Sequence, residues 1–180
     1  MKKVAVTTAN QESDLPKSPT GIRGLDEITN GGLPRERTTL ISGGPGTGKT
    51  LLGLEYLMRG ALEYDEPGVF FTFEERPIDI QKNTASLGFD LGSLIKRKKL
   101  VVEQVVIHPG EMQEAGEYNL DGLFIRLQSA IDSVGAKRVV LDTIETLFAS
   151  LKNEAIMKQF CVPSFAGCSS GSWKNGSRRS

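Results

Sequence analysis

Apolar residues recur at intervals of three and four along two long stretches of the chain. Leu51, Leu54, Leu57, Met58 and Ala61 predict one helix. Leu120, Leu123, Phe124, Leu127 and Ile131 predict a second, running from Tyr118 to Val134 and closed by Gly135. Ile22, Leu25 and Ile28 recur at threes, a short helix marked off by Asn30-Gly31-Gly32. Ser18-Pro19-Thr20-Gly21 opens this ordered region, after a polar run through Asn10-Gln11-Glu12-Ser13-Asp14 that predicts a mobile leader over residues 1–17. The remaining apolar segments are short and rich in β-branched and aromatic residues. Thr38–Ser42, Val69–Phe73, Leu100–Val106 and Arg138–Asp142 read as strands. Glu66-Pro67-Gly68 breaks the first long helix, and Glu74-Glu75-Arg76-Pro77 stops the strand before it. Ile78–Leu87 then reads as a helix ending at Gly88. Strands alternating with helices predict an α/β fold: a mostly parallel, twisted sheet with helices on both faces. No internal repeat interrupts this order.

Composition narrows the picture. A chain of 180 residues and 19.6 kDa suits one domain, or one domain with a tail. Twenty-two basic residues balance 22 acidic ones, so no net field draws nucleic acid or an anionic membrane. No run approaches about eighteen apolar residues, and Lys2-Lys3 precedes no long apolar stretch, so neither a membrane span nor a secretory signal is predicted. A cytoplasmic protein is expected. Two cysteines make no disulfide framework. Both of them, Cys161 and Cys168, lie in the last twenty residues with the only tryptophan, Trp173. That stretch lacks Asp, Glu and Leu and carries a charge of +3, against −3 for residues 1–160.

The chemistry is concentrated in Gly43-Gly44-Pro45-Gly46-Thr47-Gly48-Lys49-Thr50, which fits G-x-x-x-x-G-K-[ST] at every fixed position. Glycines let the backbone wrap close to an anion, successive N–H groups then converge on phosphate oxygens, and the following helix adds its positive dipole end. Lys49 can reach the β- and γ-phosphates, and the Thr50 hydroxyl can ligate Mg²⁺. An ordinary Gly-rich turn is the plainer alternative; a strand before and a helix after favour nucleotide binding. Asp142 ends an apolar strand, where a carboxylate either holds the Mg²⁺ shell or caps the next turn. Glu74 and Glu75 follow the next strand after the loop, at the sheet end where ligands bind in open α/β folds. Carboxylates there can orient an attacking water or stand as a solvated pair. His108 beside Pro109-Gly110 reads as a loop histidine, and Lys96-Arg97-Lys98-Lys99 as a solvated basic face.

Several segments together resemble the KaiC-type branch of the RecA-like ATPases: Thr20-Gly21-Ile22-Arg23-Gly24-Leu25-Asp26, Gly31-Gly32-Leu33-Pro34, the glycine-rich loop, Thr72-Phe73-Glu74-Glu75 and Arg138–Asp142. Ala85–Leu91 and Gly116–Arg138 are also similar to that family, and the resemblance spans roughly residues 16–156. It implies a RecA-like P-loop fold, ATP with Mg²⁺ bound between subunits of a homo-hexameric ring, slow hydrolysis, and paired glutamates, here Glu74 and Glu75, that activate water. In the clock protein of the family a second domain autophosphorylates on Ser/Thr. The family usually has a glycine where this chain has Glu36. The similarity stops near Met157, short of the family's next helix and strands. The expected organisation is therefore a leader over 1–17, a partial ATP-binding domain over 18–158, incomplete at its C-terminal side with an open sheet edge near Val139–Leu141, and an aberrant, disordered tail over 159–180. A frame-shifted reading of the tail's codons, from Cys161 onward, yields Arg, Ala, Glu, two Leu flanking two Arg, Phe, and later Trp, Leu, Glu and Lys, an amphipathic helix like the family's next one. Two rival readings stand beside an ATPase of this family: a RadA- or RecA-type DNA-recombination ATPase and an inactive truncated gene fragment.

Overall fold

The computed structural model describes residues 15–86, 88–106 and 120–143. The expectations for most of the leader, for His108 and for the tail lie outside the described residues. Among the described residues ten elements follow one another: β1 (Lys17–Ser18), α1 (Leu25–Ile28), β2 (Leu33–Pro34), α2 (Lys49–Glu63), β3 (Gly68–Thr72), α3 (Pro77–Ala85), α4 (Leu91–Lys96), β4 (Leu100–Gln104), α5 (Leu120–Val134) and β5 (Arg138–Asp142). The long strands form a parallel sheet in the order β4-β3-β5, with helices on both faces, an incomplete RecA-like α/β fold. A two-residue antiparallel ribbon, β1 with β2, joins the N-terminal segment.

The pattern of β3 explains the layers. Phe70 faces a core of Leu54, Leu57, Met58, Ile80, Leu91 and Leu100 supplied by α2, α3, α4 and β4. Val69, Phe71 and Phe73 face the opposite core with Leu123, Leu127, Ala130 and Ile131 of α5. A strand covered on both sides gains nothing from a polar face, so it reads as an unbroken apolar run. All five residues of β3 are buried, and each large side chain there contributes about 1.5–3 kcal/mol.

Three differences from the sequence-based expectation have physical causes. Thr38–Ser42 is not a strand; Leu40 is 77% exposed and Ile41 44%. Its β-branched composition suits a strand, but a strand needs a hydrogen-bonding neighbour. Among the described residues this segment pairs with no strand, and β5 pairs with β3 on one side alone. The open edge expected near Val139–Leu141 is therefore present among the described residues. Second, α1 is only Leu25–Ile28, because Gly24 at φ 82° interrupts the helical backbone and Ile28 is left exposed. Third, α4 was not foreseen. Six residues offer too few repeats to display a period, and its signal was the Asp90 side chain, which caps it by accepting from the Ser93 N–H.

Candidate nucleotide-binding site

The loop from Gly43 to Gly48 leads into α2, which starts at Lys49. Gly46 at φ 75° and Gly48 at φ 89° occupy the left-handed region, where a side chain would be strained. The Thr47 hydroxyl donates to the Gly44 carbonyl at 2.9 Å. The Lys49 ammonium folds back over the loop and donates to the carbonyls of Gly43 at 2.5 Å and Gly44 at 3.1 Å. Pro45 stands at the tip. The loop thus sits at the N-terminus of a 15-residue helix, where free N–H groups and the helix dipole favour an anion.

The first turn of α2 reaches the end of β5. Thr50 Oγ1 donates to Asp142 Oδ2 at 2.6 Å, across 92 residues of sequence. Two glycines make that approach possible. A Cβ on Gly53 would meet Val140 Cγ1 at 2.9 Å, and one on Gly60 would meet Arg138 Nε at 2.5 Å. Gly60, Gly53 and Thr50 therefore track Arg138, Val140 and Asp142, one face of α2 descending along one face of β5. Thr72 of β3 is in register with Asp142, and the Phe73 N–H donates to the Asp142 carbonyl at 2.9 Å. Past these strand ends, the Thr143 hydroxyl donates to Glu74 Oε1 at 3.0 Å, and the Glu75 N–H donates to Thr72 Oγ1 at 3.0 Å. Glu74 is exposed and Glu75 half-buried. All the residues singled out in the sequence, from Gly43 to Thr50 with Glu74, Glu75 and Asp142, thus gather at the C-terminal ends of β3 and β5 and the N-terminus of α2.

A divalent cation fits this donor set. Thr50 and Asp142 offer a hydroxyl and a carboxylate, the hard oxygen ligands that Mg²⁺ takes in small number alongside water and phosphate. Among the described residues no three of His, Cys, Asp and Glu converge, so a site closed by protein ligands alone is not formed there.

Comparison with known proteins agrees with this geometry. The family described as "ATPase: KaiC" matches residues 18–162. The chain belongs to the KaiC ATPase family. A Circadian clock protein KaiC2 from Synechocystis sp. is 52% identical over 153 residues, 85% of this chain and 27% of that protein. A Circadian clock oscillator protein KaiC from Prochlorococcus marinus subsp. pastoris is 48% identical over 134 residues, 74% of this chain and 26% of that protein. The KaiC of Parathermosynechococcus lividus is 40% identical over 159 residues. The chain spans about a quarter of the length of these KaiC relatives. Among the described residues no helix is long and apolar enough to cross a membrane.

One feature of this KaiC-family domain is not visible in the sequence. Arg138, read only as the start of a strand, is almost fully buried and holds the far end of the site's scaffold. Its guanidinium pairs with Glu66 and donates to the carbonyls of Tyr56 at 3.0 Å and Pro19 at 2.9 Å. It also lies over the rings of Tyr56 and Tyr64, at 4.5 and 5.3 Å from their centroids. Burial works to raise the Glu66 carboxyl, but hydrogen bonds from Arg138 and Arg35 outweigh it and hold the group below its ordinary value. Asp26 follows the same pattern: burial raises it, and bonds from Thr20 and Gly21 bring it lower. A lone arginine at the head of an apolar strand was the available signal, since a charge is almost never buried there unpaired. Glu36, which the sequence marks as a departure from the family's usual glycine, stands at φ 57°. The turn keeps a glycine-like backbone with a glutamate in it.

Proposed function

We propose that this KaiC-family domain binds ATP with Mg²⁺ on the loop from Gly43 to Thr50 and hydrolyses it slowly. The supporting observation is the 2.6 Å contact between Thr50 and Asp142, which joins the loop's helix to the strand that carries the second carboxylate of such sites. In this reading the N–H groups from Gly46 to Thr50 receive the phosphate chain. Lys49 exchanges its two carbonyl partners for the β- and γ-phosphates. A Mg²⁺ held by Thr50, and through water by Asp142, would neutralise phosphate charge. Glu74 and Glu75 accept hydrogen bonds from the attacking water and orient it, with Glu74 steadied by Thr143. Circadian timing and ring assembly, if this reading is extended to them, belong to a longer protein that contains this domain.

Titration with a fluorescent ATP analogue in Mg²⁺ tests the site. Lys49→Ala removes one preorganised charge contact and should weaken binding by about 3 kcal/mol, roughly a hundredfold, with an unchanged circular dichroism spectrum. Equal affinity in both proteins overturns the assignment.

A further inference from the structure

We propose that the outer edge of β4 is a docking slot for an extended, β-branched peptide from another polypeptide, one that ends in acidic residues. β4 is the terminal strand of the described sheet. The Gly68 N–H donates to the Lys99 carbonyl at 3.0 Å and the Val105 N–H to the Thr72 carbonyl at 2.9 Å. These two bonds bracket the parallel ladder, in which alternate residues of a strand turn their N–H and C=O groups to opposite sides. Val101 and Glu103 therefore turn theirs to β3. Leu100, Val102 and Gln104 turn theirs outward; the Gln104 carbonyl already accepts from the Arg126 guanidinium at 3.1 Å, so three donors and the carbonyls of Leu100 and Val102 line the open edge.

An open edge alone is an ordinary hazard that charge or covering elements blunt. Here the edge forms the floor of a groove of about 550 Å³. Pro77, Ile78 and Ile95 of the α3–α4 layer form one wall, and Ser133 and Val134 of α5 the other. Ile78 is 52% exposed and Ile95 40%, so apolar surface faces outward on this side. An added strand would send alternate side chains to these two walls, and because both are mainly apolar it must be apolar on both faces. Backbone pairing supplies affinity in this mode, and the walls supply selection.

Charge marks one end of the slot. Lys98 lines the groove at the Leu100 end, with Lys96 and Arg97 exposed beside it. No carboxylate is among the described residues that line it. Lys99 is occupied by Asp65, whereas Lys96 and Lys98 enter no ion pair among the described residues. In an antiparallel pairing the peptide's C-terminal end meets this cluster, so acidic residues belong at that end. The basic run that reads as a solvated face in the sequence becomes the rim of the slot.

The test uses the full chain and a fluorescein-labelled peptide, Val-Ala-Val-Thr-Val-Gly-Asp-Glu-Glu. Anisotropy should rise saturably. Ile95→Asp, at an exposed position, should weaken binding at least about tenfold, and raising salt from low to high concentration should weaken it severalfold. Lys98→Glu should weaken the acidic peptide about tenfold and strengthen a version ending in Gly-Lys-Lys-Lys, a reversal that misfolding does not produce. Amide exchange at Leu100, Val102 and Gln104 should slow about tenfold with bound peptide, while Val101 and Glu103 stay unchanged. The proposal is overturned if binding does not saturate, if Ile95→Asp binds equally, if protection falls on β5 instead, or if self-association of the chain protects the β4 amides without peptide.

Discussion

Glu74 and Glu75 stand side by side in the chain, yet they are held differently. Glu74 accepts from the Thr143 hydroxyl, whereas Glu75 is fixed through its backbone N–H. If the pair orients water, Glu74→Gln with Glu75→Gln should abolish phosphate release, followed by a coupled colorimetric assay, and leave ATP affinity within about twofold. Loss of affinity as well would make the pair structural. Glu36 offers a separate test at the same scale. Left-handed backbone costs a residue with a Cβ about 1–2 kcal/mol, and the Glu36 side chain is exposed. Glu36→Gly should therefore raise the unfolding free energy by about 1 kcal/mol in urea melts; an unchanged midpoint would mean the turn relaxes. At this scale the sequence was informative where spacing carries chemistry. The motif marks out the loop glycines, Lys49, Thr50 and Asp142 as one group before any fold is known, and the fold joins the helix that follows the loop to the end of β5 through Thr50 and Asp142. Arg138 was not legible, since its role depends on Pro19, Tyr56 and Glu66, which only the fold brings to it.

The elements were legible in proportion to how much of their stability is local. α2 and α5 each run four turns and display their period plainly. β3 was readable because two-sided burial leaves one unambiguous pattern. Thr38–Ser42 was misread because its fate depends on a neighbouring strand rather than on its own composition. The packing of α2 on β5 was also invisible, for its signal is the absence of side chains at Gly53 and Gly60. That packing can be tested. Gly53→Val drives a branched side chain into Val140 and should destabilise the domain by about 1–3 kcal/mol. It should also weaken ATP binding, because Thr50 is lifted from Asp142. Adding Val140→Ala should restore part of both; calorimetry and ATP titration of the two variants decide whether the close approach positions the site.

For the whole molecule, acid is the condition that reports on the clasp between the N-terminal ribbon and the sheet. Glu66 and Asp26 both have folded-state carboxyls below their ordinary values. The unfolded chain then binds protons more readily than the folded one, so this stabilisation is complete above the ordinary carboxylate range, about 4 to 4.5, and drains away as pH falls through the lowered folded values. Melting temperature should hold from pH 7 to about 5 and drop below about 4. Glu66→Gln should start lower at neutral pH and show a shallower acid decline; a parallel decline in both proteins would remove Glu66 from the account.

The reach of Arg138 has a consequence for the chain as it is made. Its contact with Pro19 closes a loop of 119 residues, and the β5 it begins is the floor on which α2 rests. A nascent chain that has emerged only to the end of α5 holds the whole glycine-rich loop, yet it has neither the guanidinium that anchors the ribbon nor the carboxylate that meets Thr50. Synthesis proceeds at about 5–20 residues per second, so the first half of the domain waits several seconds on the ribosome for β5. The glycine-rich loop is encoded early, and the strand that meets it is encoded late.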